Sequence, residues 1–147
     1  MYETNYHRAS SVADAVKLLK KGDDAKVLSG GMTLIPTMKQ RLASPSDLVD
    51  ITKIKELAGI KVSGKTVTIG AATTHYDVAT NEKLAKACPA LCGLASHIGD
   101  PHVRYRGTIG GSISNNAPAA DYPSAVLALN ATIHTDKREI PADKFFK

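Results

Sequence analysis

Two glycine pairs offer this chain its most distinctive chemistry: Gly30-Gly31, which follows the short apolar run Ala25 to Leu28, and Gly110-Gly111, which follows a polar stretch. Hydroxyl residues stand beside each, Ser29 and Thr33 at the first, Thr108 and Ser112 at the second. Glycine admits positive φ and lets a ligand approach the main chain, so consecutive N–H groups can converge on anionic oxygens while hydroxyls donate further bonds. A helix starting directly after Ser29–Thr33 would add the partial positive charge of its N-terminus. Two such turns could hold the two phosphates of a dinucleotide from opposite sides. Either pair could also be no more than a tight turn, since short glycine motifs match by chance.

The commoner phosphate motifs are excluded. No G-x-G-x-x-G follows Leu28 and no G-x-x-x-x-G-K-S/T occurs, which argues against Rossmann and P-loop folds. His97, Asp100 and His102 are close in sequence but straddle an expected helix end and lack metal-ligand spacing. Arg104 and Arg106 could face an anion or a partner, or simply solvent. Asp121 is unsuited to phosphate but could accept from sugar hydroxyls, or cap the helix it precedes. Cys88 and Cys92 flank three residues, too wide for a C-x-x-C redox pair, and read as core thiols. Two cysteines cannot supply the four thiolates that hold a 2Fe-2S cluster.

The elements that must position these residues alternate in type. Ser11 caps a helix carrying Val12, Ala15, Val16 and Leu19, which should stop at Lys20-Lys21 with Gly22 as a left-handed cap. Ala25 to Leu28 is a strand. Leu34 to Leu42 is expected to be helical, with Ile35, Met38 and Leu42 on one face, Pro36 in the first turn and Pro45 as the stop. Leu48 to Ile51 is a second strand, and Ile54 and Leu57 lie in a connecting turn. Alternation then gives a hairpin, Ile60 and Val62 against Val67 and Ile69 across Ser63-Gly64-Lys65. Helices are expected from Thr74 over His75 to Ala79, over Glu82 to Ala87, and from Pro89 to Ile98. A long polar loop, 100–107, leads to Thr108–Ser112 and Asn115–Asp121. A helix holding Pro123, Val126 and Leu127, a strand 131–135, a turn at Asp136-Lys137, a segment 138–140 and a final helical start over 141–147 complete the chain. The unequal spacing argues an α+β fold, divided at residues 57 and 58 into units 1–57 and 58–147.

Composition sets outer bounds. With 147 residues, 43% hydrophobic and 22% charged, the chain can build one core or two small ones without disulfides. No apolar run approaches the roughly 20 residues of a membrane span, and Met1–Tyr6 lacks a signal-peptide pattern, so the chain reads as cytoplasmic. Nineteen Lys and Arg against 14 Asp and Glu give +5, which suits an anionic partner. The lysines are scattered and the 5% of aromatic residues do not interleave with them, which argues against nucleic acid.

The run Leu28-Ser29-Gly30-Gly31-Met32-Thr33-Leu34-Ile35-Pro36, followed by Leu48-Val49-Asp50-Ile51, resembles the first flavin loop of the FAD-binding medium subunits of molybdenum hydroxylases. That family includes carbon monoxide dehydrogenase medium subunits and xanthine dehydrogenase FAD domains. Ile98 to Ser112, with Ala119 to Pro123 beyond it, resembles the family's second FAD loop, and Arg138 to Phe146 is similar to the family as well. The resemblance implies two small α/β subdomains of the vanillyl-alcohol oxidase-type (PCMH-type) FAD-binding fold. It further implies that Ser29, Gly30, Gly31, Met32 and Thr33 form one loop backed by Leu34, Ile35 and Pro36. Gly99, Thr108, Ile109, Gly110, Gly111 and Ser112 would form the other, and Asp121 would bind the sugar or flavin side. Met32 stands where many members carry a polar residue. A Gly110→Val change is expected to block backbone approach to FAD.

By the same resemblance the chain would be the FAD subunit of an oxidoreductase, passing electrons from 2Fe-2S clusters of a small partner subunit to an external acceptor. The molybdenum-pterin centre would lie in a large partner subunit, and this chain would supply no catalytic acid, base or nucleophile. Family members run to about twice this length, with a C-terminal domain over the isoalloxazine, so weak FAD binding by the isolated chain is expected. The alternative is a scaffold fragment that docks to partner subunits without retaining FAD.

Overall fold

Strand β1 (Asn5–Arg8) opens the computed structural model, which describes residues 1–146; Lys147, at the end of the expected final helical start, lies outside them. None of the four β1 residues is buried, so the strand carries no apolar periodicity and is invisible to pattern reading. In α1 (Val12–Lys21) the Ser11 hydroxyl accepts from the Asp14 N–H at 3.1 Å. The helix stops at Gly22 in extended conformation, φ −83° and ψ 145°, not in the left-handed one expected. Glycine is needed there for space: a Cβ would lie 2.8 Å from both Ala25 Cβ and Asp47 Oδ2.

Strand β2 (Ala25–Leu28), α2 (Leu34–Lys39) and β3 (Asp47–Asp50) follow, and β3 pairs in parallel with β1 and β2 in the order β1-β3-β2. Arg8 and Leu28 are both in register with Asp50, so all three strands end at one edge. Helix α2 stops short of the expected Leu42. Arg41 turns left-handed at φ 61°, leaving Met38 buried and Leu42 75% exposed, so Leu42 does not share the buried face.

A 3-10 turn, Lys55–Leu57, leads to the antiparallel hairpin of β4 (Ile60–Ser63) and β5 (Thr66–Ile69), which reverses at Gly64 with φ 57°. Helices α3 (His75–Thr80), α4 (Glu82–Ala87) and α5 (Pro89–Ser96) come next, the first two capped by the Thr74 and Asn81 side chains. The expected polar loop contains a helical turn, α6 (Pro101–Arg104), because the Asp100 carboxylate caps it by accepting from the Val103 N–H at 2.9 Å. The second glycine pair sits inside α7 (Ile109–Asn115) instead of an extended loop. Helix α8 (Tyr122–Ala128), the hairpin β6 (Thr132–His134) and β7 (Glu139–Pro141), and α9 (Ala142–Phe145) complete an α+β fold.

Buried apolar side chains form two clusters. Ala9, Ala15, Val49 and Ile54 centre one. Val78, Leu84, Ala95, Ile113, Tyr122 and Val126 are among those centring the other. Cys92 belongs to the second and Cys88 packs against it; both are free thiols, and burial pushes the Cys92 pKa up. No helix among the described residues is long and apolar enough to cross a membrane.

Candidate functional site

The two glycine turns meet. Ser29 Oγ lies 3.0 Å from Thr108 Oγ1, and Gly30 packs so closely on the neighbouring segment that a Cβ would fall 2.1 Å from the Arg106 carbonyl oxygen and 2.7 Å from Gly107 Cα. Around this junction, at the C-terminal edge of the parallel strands, runs a cleft of about 730 Å³. Ser29 to Leu34, Gly99, Thr108, Gly110, Gly111, Ser112 and Asp121 all line it. Ile35, Pro36 and Ile109 do not. A Gly31 Cβ would meet Ile35 Cγ1 at 2.9 Å, which places Ile35 behind the turn; Pro36 is on the exposed side of α2, and Ile109 is buried in the second core.

The main-chain donors of the two turns differ in kind. The N–H groups of Gly30, Gly31, Met32, Thr33 and Leu34 have no hydrogen-bond acceptor among the described residues. Gly31 takes φ 74°, a conformation that curls successive N–H groups toward one point. At the second turn the donors are committed: Ile109 to the Thr73 carbonyl at 3.1 Å, Gly110 to the Ala71 carbonyl at 2.9 Å, Gly111 to Thr108 Oγ1 at 3.1 Å and Ser112 to the Thr108 carbonyl at 3.0 Å. The structure therefore contains one open N–H cradle where the sequence suggests two. What the second turn offers is a wall that carries no side chain at Gly110 and Gly111. A Gly111 Cβ would meet only Thr108 Oγ1, at 2.9 Å, and would otherwise enter the cleft. Gly110 is different: its Cβ would strike Ala71 Cβ and carbonyl oxygen, each at 2.6 Å, so Gly110→Val disrupts packing on Ala71 before it could block a ligand.

The remaining candidates separate clearly. Arg104 Nη1 donates to the Ile98 and Gly99 carbonyls at 3.1 and 3.0 Å, pinning the left-handed turn at Gly99 (φ 54°) rather than facing an anion. His97 Nδ1 is 2.8 Å from the Gly93 carbonyl, and His102 is an exposed surface residue. Asp121 lines the cleft, and its side chain makes no capping bond to α8. Lys26, Ile51, Ala71 and His75 also line the cleft and were not singled out by sequence. His75 follows a recognisable cap, Thr74, but nothing in the local pattern separates it from any helix-opening residue.

A cleft on a parallel-strand edge, with uncommitted main-chain donors on one glycine turn and a second glycine turn facing it, defines the geometry of an anionic-nucleotide site. The chain belongs to the family described as FAD binding domain in molybdopterin dehydrogenase, whose model matches residues 2–147. It is 44% identical over 146 residues to the carbon monoxide dehydrogenase medium chain of Hydrogenophaga pseudoflava, a match covering 96% of this chain and 51% of that one. The glyceraldehyde dehydrogenase medium chain of Sulfolobus acidocaldarius is 41% identical over 149 residues, covering 99% and 53%. Among solved structures, carbon monoxide dehydrogenase from Hydrogenophaga pseudoflava superposes with a TM-score of 0.95 at 42% identity, covering 99% of this chain and 53% of that one. Quinoline 2-oxidoreductase from Pseudomonas putida 86 gives 0.93 at 30% identity. The chain spans about half the length of these relatives.

Proposed function

We propose that this chain holds FAD in the cleft, with the pyrophosphate on the N–H cradle of Gly30–Leu34 and the Gly110-Gly111 segment as the facing wall. The observation that carries the reading is the set of uncommitted main-chain donors on a turn lining a cleft of about 730 Å³. The donor set suits the group. Phosphate oxygens accept from several N–H groups at once, and the Cβ-free face at Gly111 gives the room that close approach requires.

FAD held there would supply the redox chemistry, the transfer of electrons between 2Fe-2S clusters of a small partner subunit and an external acceptor. The chain itself binds and orients. Ser112 adds a hydroxyl to the facing wall, Asp121 accepts from hydroxyl groups on the sugar or flavin side, and Arg104 fixes the Gly99 turn at the cleft margin. A large molybdenum-pterin subunit completes the proposed assembly, in keeping with the medium chains that this sequence matches.

Titration of the 15N-labelled chain with FAD tests the binding reading, because amide shifts register weak and tight binding alike. Saturable shifts centred on Gly30–Leu34 are expected. No saturable shift at millimolar FAD, or shifts confined to surfaces away from the cleft, would overturn it.

A further inference from the structure

His75 is buried at 5% exposure, yet it lines the cleft. Its backbone N–H donates to the Gly107 carbonyl at 2.9 Å, which fixes the start of α3 against the segment leading into the second glycine turn. The ring is oriented by its surroundings. Nδ1 is fully enclosed and has no hydrogen-bond partner. The Nε2 edge lies against Gly107, where a Cβ would be 2.6 Å from Nε2, so the glycine makes room for that edge. Gly107 also lines the cleft. Directly behind the imidazole is Tyr122, with ring centroids 5.4 Å apart and its hydroxyl likewise buried and unpartnered.

Two enclosed polar atoms without partners on adjacent rings are costly unless they serve one another. A tyrosine hydroxyl is a ready donor, whereas a neutral imidazole has one donor and one acceptor nitrogen. The two atoms make no direct bond, so one enclosed water donating to Nδ1 and accepting from the Tyr122 hydroxyl is what would serve both; Nδ1 is then the acceptor and the proton resides on Nε2. Both groups stay neutral: burial lowers the His75 pKa against a smaller opposing effect of Asp121, and burial raises that of Tyr122.

We infer that His75 is a cofactor-binding residue whose imidazole, with Nδ1 enclosed beside the Tyr122 ring, presents Nε2–H to the cleft as a donor for an oxygen atom of the bound dinucleotide. The inference rests on the FAD reading above. It adds a neutral side-chain donor to a site otherwise built from main-chain N–H groups and hydroxyls.

The test uses the full chain in two measurements. Long-range 1H–15N correlation spectra at pH 7 report the His75 tautomer without any ligand or variant; the Nε2–H form is expected, and a dominant Nδ1–H form or an imidazolium overturns the inference. FAD titration then compares wild type with His75→Gln, whose amide nitrogen reaches the position of Nε2, and His75→Asn, whose amide nitrogen reaches only that of Nδ1. His75→Asn is expected to weaken FAD by about fivefold to tenfold while His75→Gln stays within about twofold of wild type. Equal binding by all three overturns the inference and leaves the FAD reading standing. Absence of FAD binding by wild type overturns both. Urea midpoints of the variants show whether a loss reflects folding, and the wild-type tautomer stands independently of that outcome.

Discussion

Gly30→Ala should pry the two glycine turns apart. The added Cβ would sit 2.1 Å from the Arg106 carbonyl oxygen, 2.7 Å from its carbonyl carbon and 2.7 Å from Gly107 Cα. All three are main-chain atoms, so no side-chain rotation relieves the overlap, and one segment must retreat by about 1 Å. Overpacking of this kind costs about 1–3 kcal/mol. The retreat also breaks the Ser29–Thr108 hydroxyl contact, which is 3.0 Å long, and a hydrogen bond contributes about 0.5–1.5 kcal/mol. The combined loss is about 2–4 kcal/mol, which at a urea slope of about 2 kcal/mol/M lowers the unfolding midpoint by about 1–2 M. Urea denaturation of the ligand-free chain measures it, and amide shifts should move at Arg106–Thr108. A Gly30→Ala chain within about 0.5 kcal/mol of wild type, with those amides unmoved, would refute the claim that Gly30 is the contact point of the two turns.

Other substitutions probe separate parts of the argument. Gly93→Ala, on the exposed side of α5 with nothing within 4 Å of the added Cβ, should stabilise by about 0.5–1 kcal/mol in the same urea assay; a loss would mean the position is not an open helical site. Leu84→Ala, at 0% exposure in the second core, should cost about 2–5 kcal/mol and lower the Tm by calorimetry. Cys92, buried and with its pKa raised by burial, should react with a thiol reagent at neutral pH far more slowly than Cys88; equal rates would contradict the packing. Burial opposes ionisation of Asp50, yet hydrogen bonds from Tyr6 and Thr52, with Arg8 nearby, hold its pKa below the ordinary carboxylate value. Its stabilising effect is thus present above about pH 4 and lost as pH falls through the lowered pKa, so Asp50→Asn should cost about 1–3 kcal/mol at pH 7 and flatten the acid-unfolding curve below about pH 4; an unchanged curve would refute the assignment.

What could be read from the sequence was whatever depended on local chemistry. The caps Ser11 and Thr74 and the opening Pro89 act within one turn of chain, and the helices they start are present. Strand β1 was not legible because its place in the sheet comes from pairing with β3, some 40 residues away, and not from a buried face of its own. At Gly22 the need for glycine comes from close approach to Ala25 and to Asp47, the latter distant in sequence, and not from positive φ. The same holds in the cleft. The open donors of Gly30–Leu34 follow from a left-handed glycine, which local sequence suggests, whereas the committed donors at 109–111 find their acceptors at Ala71 and Thr73 and in the Thr108 side chain. Non-local acceptors of that kind leave no trace in a motif.

We propose that the chain divides at residues 57 and 58, on the character of what crosses that point. Apolar burial does not: the cluster around Val49 draws its packed neighbours from residues up to Leu57, and the cluster around Leu84 draws its own from Ile60 onward. Contacts across the proposed boundary are polar and main-chain in character, the Ala72 N–H on the Leu57 carbonyl at 2.7 Å, Gly30 on Arg106, and Ser29 on Thr108. Such contacts contribute little apolar stabilisation, so the relative placement of the proposed units 1–57 and 58–147 rests on a few close approaches, those of Ser29 and Gly30 lying at the cleft. A ligand that bonds to Gly30–Leu34 on one unit and to Ser112 and Asp121 on the other therefore adds bonds across the weakest seam. It should raise the cooperativity of unfolding as well as the midpoint. Two separable urea transitions that merge into one with saturating FAD would support that division; a single transition whose midpoint FAD leaves unchanged would count against it.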